Sequence, residues 1–326
     1  MLNYITNKDT IIFSPYYNEP IDINLLSQYN KIIFSDYELN EELFEKYENF
    51  YLEIVSINSK FNQEVELPKN ITHLTFGYYF NQKLELPENL TFGCEFNQKV
   101  ELPENLTVLT FGYYFNQEVE LPENLTHLTF GDYFNQKVEL PENLTHLTFG
   151  NYFNQKLELP KKLTHLTFGC EFNQKVELPE NLTHLSFGYY FNQQVELPEN
   201  LTHLTFGYKF NQKVELPENL THLTFGDYFN QEVELPKNLT HLTFGCYFNQ
   251  KVELPFSIKY LKVENDISHN LDYLPEGIEE LVLGRSFNND TLCNLPNSLK
   301  IIKLYKGHNC NLKCLPKNTK IEYYKW

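Results

Sequence analysis

The sequence predicts an all-β solenoid with one strand of a parallel sheet in each coil, a second short parallel sheet on the opposite wall, and little helix. Three observations carry this. The first is a period. The phrase F-N-Q-x-V-E-L-P-x-N-L-T-H-L-T-F-G-x-Y recurs from Phe96 through Phe115, Phe134, Phe153, Phe172, Phe191, Phe210 and Phe229 to Phe248 in steps of 19 residues. A fixed short period marks a solenoid or array. The second is alternation. In Leu125-Thr126-His127-Leu128-Thr129-Phe130, strand geometry sets Leu128 and Phe130 on one face and His127 and Thr129 on the other. The apolar face is the core, so His and Thr look outward. The third is length, because 19 residues leave no room for a helix on the return arc.

The rest of the coil follows from its residue types. Gly131 ends the strand at a turn that bulkier residues take less cheaply. Phe134 points inward, and Asn135 is placed to bond the backbone of its own and the next coil as a buried ladder. Lys137-Val138-Glu139-Leu140 alternates out and in, which predicts the second strand, and Pro141 stops it because it has no ladder N–H.

Along the chain, residues 1–58 read as an N-terminal cap of degenerate coils, 59–255 as the regular repeats and 256–326 as divergent coils with a C-terminal cap, all one continuous solenoid. In the cap, Thr10–Phe13, Lys31–Phe34 and Leu52–Val55 read as strands, and Asn40–Tyr47 as a short Asn-capped helix. Terminal repeats are atypical because they shield an open core. The coil Phe80–Glu95 has 16 residues, which predicts a local kink and weaker outward chemistry there. After Pro255 the strand pattern survives in Ile278–Leu283, Leu299–Leu304 and Ile321–Trp326.

Of 326 residues, 41% are hydrophobic and 16% aromatic, enough for a core and unlike a disordered chain. The net charge of −17 argues against nucleic-acid and anionic-membrane partners. No segment of Met1–Ser14 reads as a signal peptide, and no stretch approaches the roughly 20 apolar residues of a membrane span. A cytoplasmic location is expected, the host cytoplasm if the chain is viral. Nine N-[LI]-T triplets match the glycosylation sequon as by-products of the repeat. Cys94, Cys170 and Cys246 share one repeat position 76 residues apart. At about 4.8 Å per coil they lie about 19 Å apart, too far to bridge. Cys293, Cys310 and Cys314, with His308 nearby, read as reduced thiols rather than a zinc site.

The run F-N-Q…L-P-x-N-L-T-H-L-T-F-G resembles the FNIP repeat, a leucine-rich-repeat variant of slime moulds and giant DNA viruses, over roughly Phe61–Pro255. The resemblance implies a right-handed leucine-rich superhelix with a role in protein–protein interaction. The family unit is commonly 22 residues; this one is shortened between Gln136 and Pro141. Some members carry an F-box before the repeats, which implies ubiquitin-ligase substrate recognition, but residues 1–58 lack the L-P-x-E-[IV] opening of that module. The Leu-Pro-x-x-Leu-x-x-Leu rhythm also resembles bacterial effector repeats.

Function is sought in the outward columns. His127, His146, His165, His184, His203, His222 and His241 form one, with His73 apart. Structural zinc needs four ligands and the flanking threonines are poor ones, so the column reads as packed, mostly neutral rings that titrate together and serve as contact surface. Thr129, Thr148 and Thr167 begin a parallel row, whose use in ice binding is disfavoured by the lack of a secretion signal. The two positions after the glycine vary while their neighbours are copied, and they are rich in tyrosine: Tyr113, Tyr114, Tyr133, Tyr152, Tyr189, Tyr190, Tyr208 and Tyr228. Tyr favours interfaces. A Glu column from Glu66 to Glu253, offset by Lys two residues earlier, reads as a solvated face. No asymmetric catalytic constellation stands apart from the repeat. The expectation is a non-enzymatic scaffold, without metal or cofactor, that binds an unknown, host protein through the His/Thr face and the Tyr rim. The alternatives are a ubiquitin-ligase substrate receptor, which needs a helical module in residues 1–58, or a self-assembling protein that pairs with its own copies.

Overall fold

The computed structural model describes residues 3–39, 43, 59–63, 73–80, 82, 89–265, 274–286, 295–306 and 315–324. The chain divides into two compact units, Met1–Leu163 and Thr164–Trp326. Both are built from stacked coils, each contributing one short strand to a parallel sheet, with almost no helix.

The Met1–Leu163 unit opens with a hairpin. Strand β1 (Tyr4–Asn7) runs antiparallel to β2 (Thr10–Phe13). Lys8, at φ 44°, turns the chain between them. The parallel run then goes from β2 to β3 (Lys31–Phe34), β4 (His73–Thr75), β5 (Asn89–Thr91), β6 (Val108–Thr110), β7 (His127–Thr129) and β8 (His146–Thr148). The strands expected at Thr10–Phe13 and Lys31–Phe34 are in place. Hairpin strand β1 had no such signal, because three of its four residues are exposed and show no apolar alternation. A single helical turn, α1 (Ile23–Leu26), is capped by the Asp22 carboxylate, which accepts from Asn24 N–H at 2.9 Å. The helix expected at 40–47 and the strand at 52–55 lie outside the described residues, save Leu43, which is buried with Ile12 and Ile33.

In the Thr164–Trp326 unit the parallel run is β9 (His165–Thr167), β10 (His184–Ser186), β11 (His203–Thr205), β12 (His222–Thr224), β13 (His241–Phe244), β14 (Tyr260–Asn265), β15 (Glu280–Ser286), β16 (Ile301–Tyr305) and β17 (Lys320–Tyr324). The last four strands are longer. Their outward rows change from His and Thr to charged pairs such as Lys303–Glu280 at 2.7 Å.

Each coil has two corners. At the first, Leu125 N–H donates to Pro122 C=O at 3.2 Å, closing a turn whose Asn124 amide reaches back to Glu104 C=O of the preceding coil at 2.7 Å. The sequon asparagines Asn124, Asn143, Asn200, Asn219 and Asn238 are therefore coil-to-coil ties. At the second, Phe134 N–H donates to Gly131 C=O at 3.2 Å, so Asp132 and Tyr133 occupy the exposed corner. Between the corners, Leu125, Leu128, Phe130 and Phe134 are buried, and the two phenylalanines stack at 3.9 Å.

Glycine 131 is needed for a different reason from the one its turn suggests. Its φ lies outside the left-handed region; instead, a Cβ there would sit 1.8 Å from the carbonyl oxygen of Gly112 in the coil below. Close backbone approach, not turn strain, selects glycine.

The second sheet expected at Lys137-Val138-Glu139-Leu140 does not form. Side chains alternate as anticipated, with Lys137 and Glu139 exposed and Val138 and Leu140 half-buried, but the arc carries no strand. The reason is the spacing of the coils. Equivalent rings, parallel to within 12°, are 4.2 Å apart at His127–His146, 5.4 Å at Phe130–Phe149 and 6.1 Å at Phe134–Phe153. The other unit repeats the series at 4.1, 5.6 and 6.1 Å for His203–His222, Phe206–Phe225 and Phe210–Phe229. Strand pairing needs about 4.8 Å, and the inner rings that lead into this arc already stand wider than that. Side-chain amides span it instead. Asn116 Oδ1 accepts from Asn135 N–H at 3.0 Å and from Gln136 Nε2 at 3.1 Å. The Asn ladder is thus real but half-buried rather than buried, and Gln is its second rung.

The ladder of strands passes through the 16-residue coil in register, Leu74 to Leu90 to Leu109. Asn89 stands where His127 stands in a regular coil; the shortened arc, 83–88, lies outside the described residues.

Substitutions at Gly131 and Asn135, each with a control, test this stacking. Gly131→Ala should cost about 1–3 kcal/mol and lower the thermal midpoint followed by circular dichroism, whereas Asp132→Ala at the corner should leave it almost unchanged. Asn135→Ala removes the acceptor for Asn154 N–H and Gln155 Nε2. A loss of about 1 kcal/mol is expected, with Asn135→Asp, which keeps the acceptor, recovering most of it.

Candidate functional site

The sheet face is assembled by the strand alternation. Leu128 turns in, and His127 and Thr129 turn out on either side of it. The same holds at His146 and Thr148, and at His165 and Thr167. In the Met1–Leu163 unit, His127 and His146 stack at 4.2 Å. In the other unit, His165, His184, His203, His222 and His241 stack in sequence at 4.1–4.2 Å. The side chain of His73 lies outside the described residues.

A second set of bonds orients each imidazole. Thr126 Oγ1 lies 3.1 Å from Thr107 C=O and 2.9 Å from His127 Nδ1. Thr145, Thr183, Thr202, Thr221 and Thr240 repeat the arrangement with their own histidines. A hydroxyl has one proton. The proton order that satisfies both contacts is Nδ1–H to Oγ1, and Oγ1–H to the carbonyl, which leaves Nε2 as a bare acceptor. Sequence reasoning treated this threonine only as part of the strand.

The rings favour neutrality. Burial lowers the pKa of His127; burial and then His184 and His241 lower that of His203. For His222, burial first, then His203, His241 and His184, brings it down to about 4.

The rim is made by the Gly–Phe turn, whose two corner residues project from every coil. In the first unit, Tyr113 packs on Tyr114 at 4.8 Å and on Tyr133 at 5.3 Å, Tyr114 on Tyr133 at 5.1 Å, and Tyr133 on Tyr152 at 4.8 Å. In the second, Tyr189 packs on Tyr190 and on Tyr208 at 4.6 Å, and Tyr208 on Tyr228 at 5.0 Å. All but Tyr208 count as exposed, Tyr152 at 46% and Tyr190 at 45%. Tyr247, not among the expected residues, extends the strip at 5.0 Å from Tyr228 and is 55% exposed. It holds the same repeat position as Tyr228, so the period already pointed to it.

Between the tyrosines stand other groups. Asp132 accepts from the Asn151 amide at 2.8 Å. Cys94, Cys170 and Cys246 are free and half-buried. Burial raises the Cys94 thiol, and burial with Asp227 pushes Cys246 up to about 11, so both stay protonated. Cys293, Cys310, Cys314 and His308 lie outside the described residues. Among the described residues no group of three or more His, Cys, Asp or Glu is placed to hold a metal, and no helix is long and apolar enough to cross a membrane.

With this geometry in hand, the repeats can be compared with known ones. The model of the FNIP Repeat matches residues 61–95, 96–133, 118–139, 134–171, 172–209, 210–247 and 232–266, more than half of the chain. The chain belongs to the FNIP repeat family. Among solved structures, the giant-virus protein CroV588, described as a novel circular leucine-rich-repeat protein, is 35% identical with a TM-score of 0.67 over 99% of this chain and 60% of its own. YopM from Yersinia enterocolitica WA-314 is 23% identical with a TM-score of 0.58 over 81% of this chain and 66% of its own, a likeness of fold alone. The chain thus spans less than two thirds of either neighbour. No curated protein matches it. The leucine-rich fold is commonly a protein-binding scaffold.

The histidine column of these FNIP repeats predicts acid lability. A histidine with a depressed folded pKa binds fewer protons folded than unfolded, so stability is intact above the ordinary 6.5 and falls as pH drops towards about 4. The thermal midpoint should fall across that window. His222→Val should flatten the slope; valine is compatible with this place, as Val108 pairs with His127 on the sheet. An unchanged slope would assign the loss to carboxylates.

Proposed function

We propose that this chain is a non-catalytic scaffold that binds a protein, in the cytoplasm of a host cell, through the His/Thr sheet face and the tyrosine rim. The observation that carries the reading is the rim. Within each unit its rings pack on one another, yet all but Tyr208 keep 36–55% of their residue surface open, which makes an aromatic strip rather than isolated tyrosines. Strips of this kind mark interaction surfaces, and Tyr supplies large contact area with few rotors. The neutral histidine face beside it adds hydrogen-bonding groups without the desolvation penalty of charge.

The ubiquitin-receptor alternative requires a helical module in residues 1–58. The described residues 3–39 form β1, β2 and β3 with one helical turn, which favours the scaffold reading, while 40–58 lie outside the described residues save Leu43.

Affinity capture from host lysate tests the reading. Replacing Tyr113, Tyr114, Tyr133 and Tyr152 by Ser should weaken capture of the partner at least tenfold, as expected for loss of aromatic anchors, without shifting the melting curve. Capture that survives this replacement and the pair His203→Val and His222→Val would refute both faces as the site.

A further inference from the structure

The rim has a charge as well as an aromatic character. The corner residues from Tyr78 to Tyr247 include Glu95, Asp132, Glu171 and Asp227, against one cation, Lys209. Those four carboxylates belong to the rim itself, apart from the Glu column of the far wall, which has Lys two residues earlier in most coils and Glu or Gln at 64, 118, 194 and 232.

The single cation shows what such a rim can hold. Lys209 occupies the corner place that Tyr190 and Tyr228 hold in the flanking coils. Its ammonium lies 4.1 Å from the centre of the Tyr228 ring and 5.5 Å from that of Tyr208. Half-buried at its corner, the lysine lies across two rings, the arrangement that the quadrupole of an aromatic face favours. Asp227 is the corner neighbour of Tyr228.

The Met1–Leu163 unit has the same rings and carboxylates without a basic corner residue between 94 and 152. Tyr113, Tyr114 and Tyr133 pack within 5.3 Å of one another, and Glu95 and Asp132 stand beside them in the corner series. Partial burial first, then Tyr133 and Asp132, raises the Tyr113 phenol.

We propose that the rim of the Met1–Leu163 unit binds a basic segment of a partner protein, an extended stretch whose lysine or arginine side chains lie over Tyr113, Tyr114 and Tyr133 beside Glu95 and Asp132. Lys209 is the internal counterpart of that contact in the other unit. The inference rests on the scaffold reading and gives its partner a chemistry. The sign of the rim and the net charge of −17 disfavour a phosphate backbone or an acidic peptide as the occupant.

The probe is a labelled nine-residue peptide of alternating Arg and Ser, with a Glu/Ser peptide as its opposite, titrated into the full chain and followed by fluorescence anisotropy. The Arg peptide binds and the Glu peptide does not. The triple change Tyr113→Ser, Tyr114→Ser and Tyr133→Ser leaves the net charge unaltered and should weaken binding at least tenfold, from about fivefold for each cation–ring contact. The same three positions changed to Phe restore it. Lys209→Ser opens a second seat and raises the stoichiometry. Because an acidic protein attracts arginine anywhere, Glu95→Gln with Asp132→Asn is compared with Glu139→Gln and Glu158→Gln on the far wall, an equal change of charge. Binding that ignores the tyrosine changes, or falls as much with the far-wall pair as with the rim pair, overturns the proposal. A captured partner that depends on the rim but engages it with an acidic or apolar segment also overturns it, and leaves the scaffold reading standing. Capture that ignores the rim altogether removes the scaffold reading instead.

Discussion

Each coil rests on its neighbour through a backbone contact that only glycine permits. At Gly131 and again at Gly207 a Cβ would meet the preceding glycine's carbonyl oxygen at 1.8 Å. That closeness sets the rest of the rim. The turn corners that follow the glycines are drawn together with them, so Tyr133 N–H reaches Tyr113 C=O at 3.0 Å and Tyr228 N–H reaches Tyr208 C=O at 3.0 Å. Tyrosine rings carried on those corners meet at 4.6–5.3 Å. The aromatic strip is therefore a consequence of the glycine column: loosen the glycine contact and the rings part. Stability and recognition share one constraint, which explains why the corner residues vary while the glycine between them and the strand does not.

The same stacking explains where hydrogen bonds go. Spacing widens across each coil from 4.1–4.2 Å at the histidines to 6.0–6.1 Å at the inner phenylalanines. Strands pair on the narrow side, and past the inner phenylalanines side-chain amides take over. Main-chain groups buried without partners are costly, and the wide side avoids this by using longer arms. The Asn and Gln of the F-N-Q triplet supply the reach that a second strand cannot. Their repetition in every regular coil reflects a steady demand for side-chain bridges, and it has no bearing on ligand choice.

Much of the fold was legible because the period converts position into orientation. Leu128 and Phe130 were assigned inward, and His127 and Thr129 outward, from alternation alone, Phe134 was placed inward after the turn, and burial agrees. What alternation could not reveal was distance. Val138 and Leu140 alternate like a strand but form none, because pattern reports which way a side chain points and not how far the next coil lies. Gly131 looked like a turn residue because a turn follows it; its contact with Gly112 depends on a coil 19 residues away. Strand β1 was missed because a half-exposed edge strand needs no apolar pattern. In the candidate site, the tyrosine positions were visible as variation within a copied phrase. The Thr126–His127 bond and the Lys209–Tyr228 contact were not, since each arises between groups whose pairing depends on rotamer and proton position.

Near-perfect repetition raises a problem of its own for recognition. A partner that bound only the copied letters would find equivalent seats in coil after coil and could slide by 19-residue steps at no cost. Each seat is weak by itself, about 0.5–1 kcal/mol for an exposed cation on a ring, so affinity has to come from several seats engaged together. Specificity then requires that registers differ in energy. The irregular corners provide that difference. Asp132 bonded to Asn151, the glutamates beside Cys94 and Cys170, and the single Lys209 break the equivalence of the coils. In the Thr164–Trp326 unit a basic side chain is favoured beside Glu171 and repelled at Lys209, so a shift of two coils exchanges attraction for repulsion. The copied residues supply the number of contacts, and the uncopied ones set the register in which those contacts can be made.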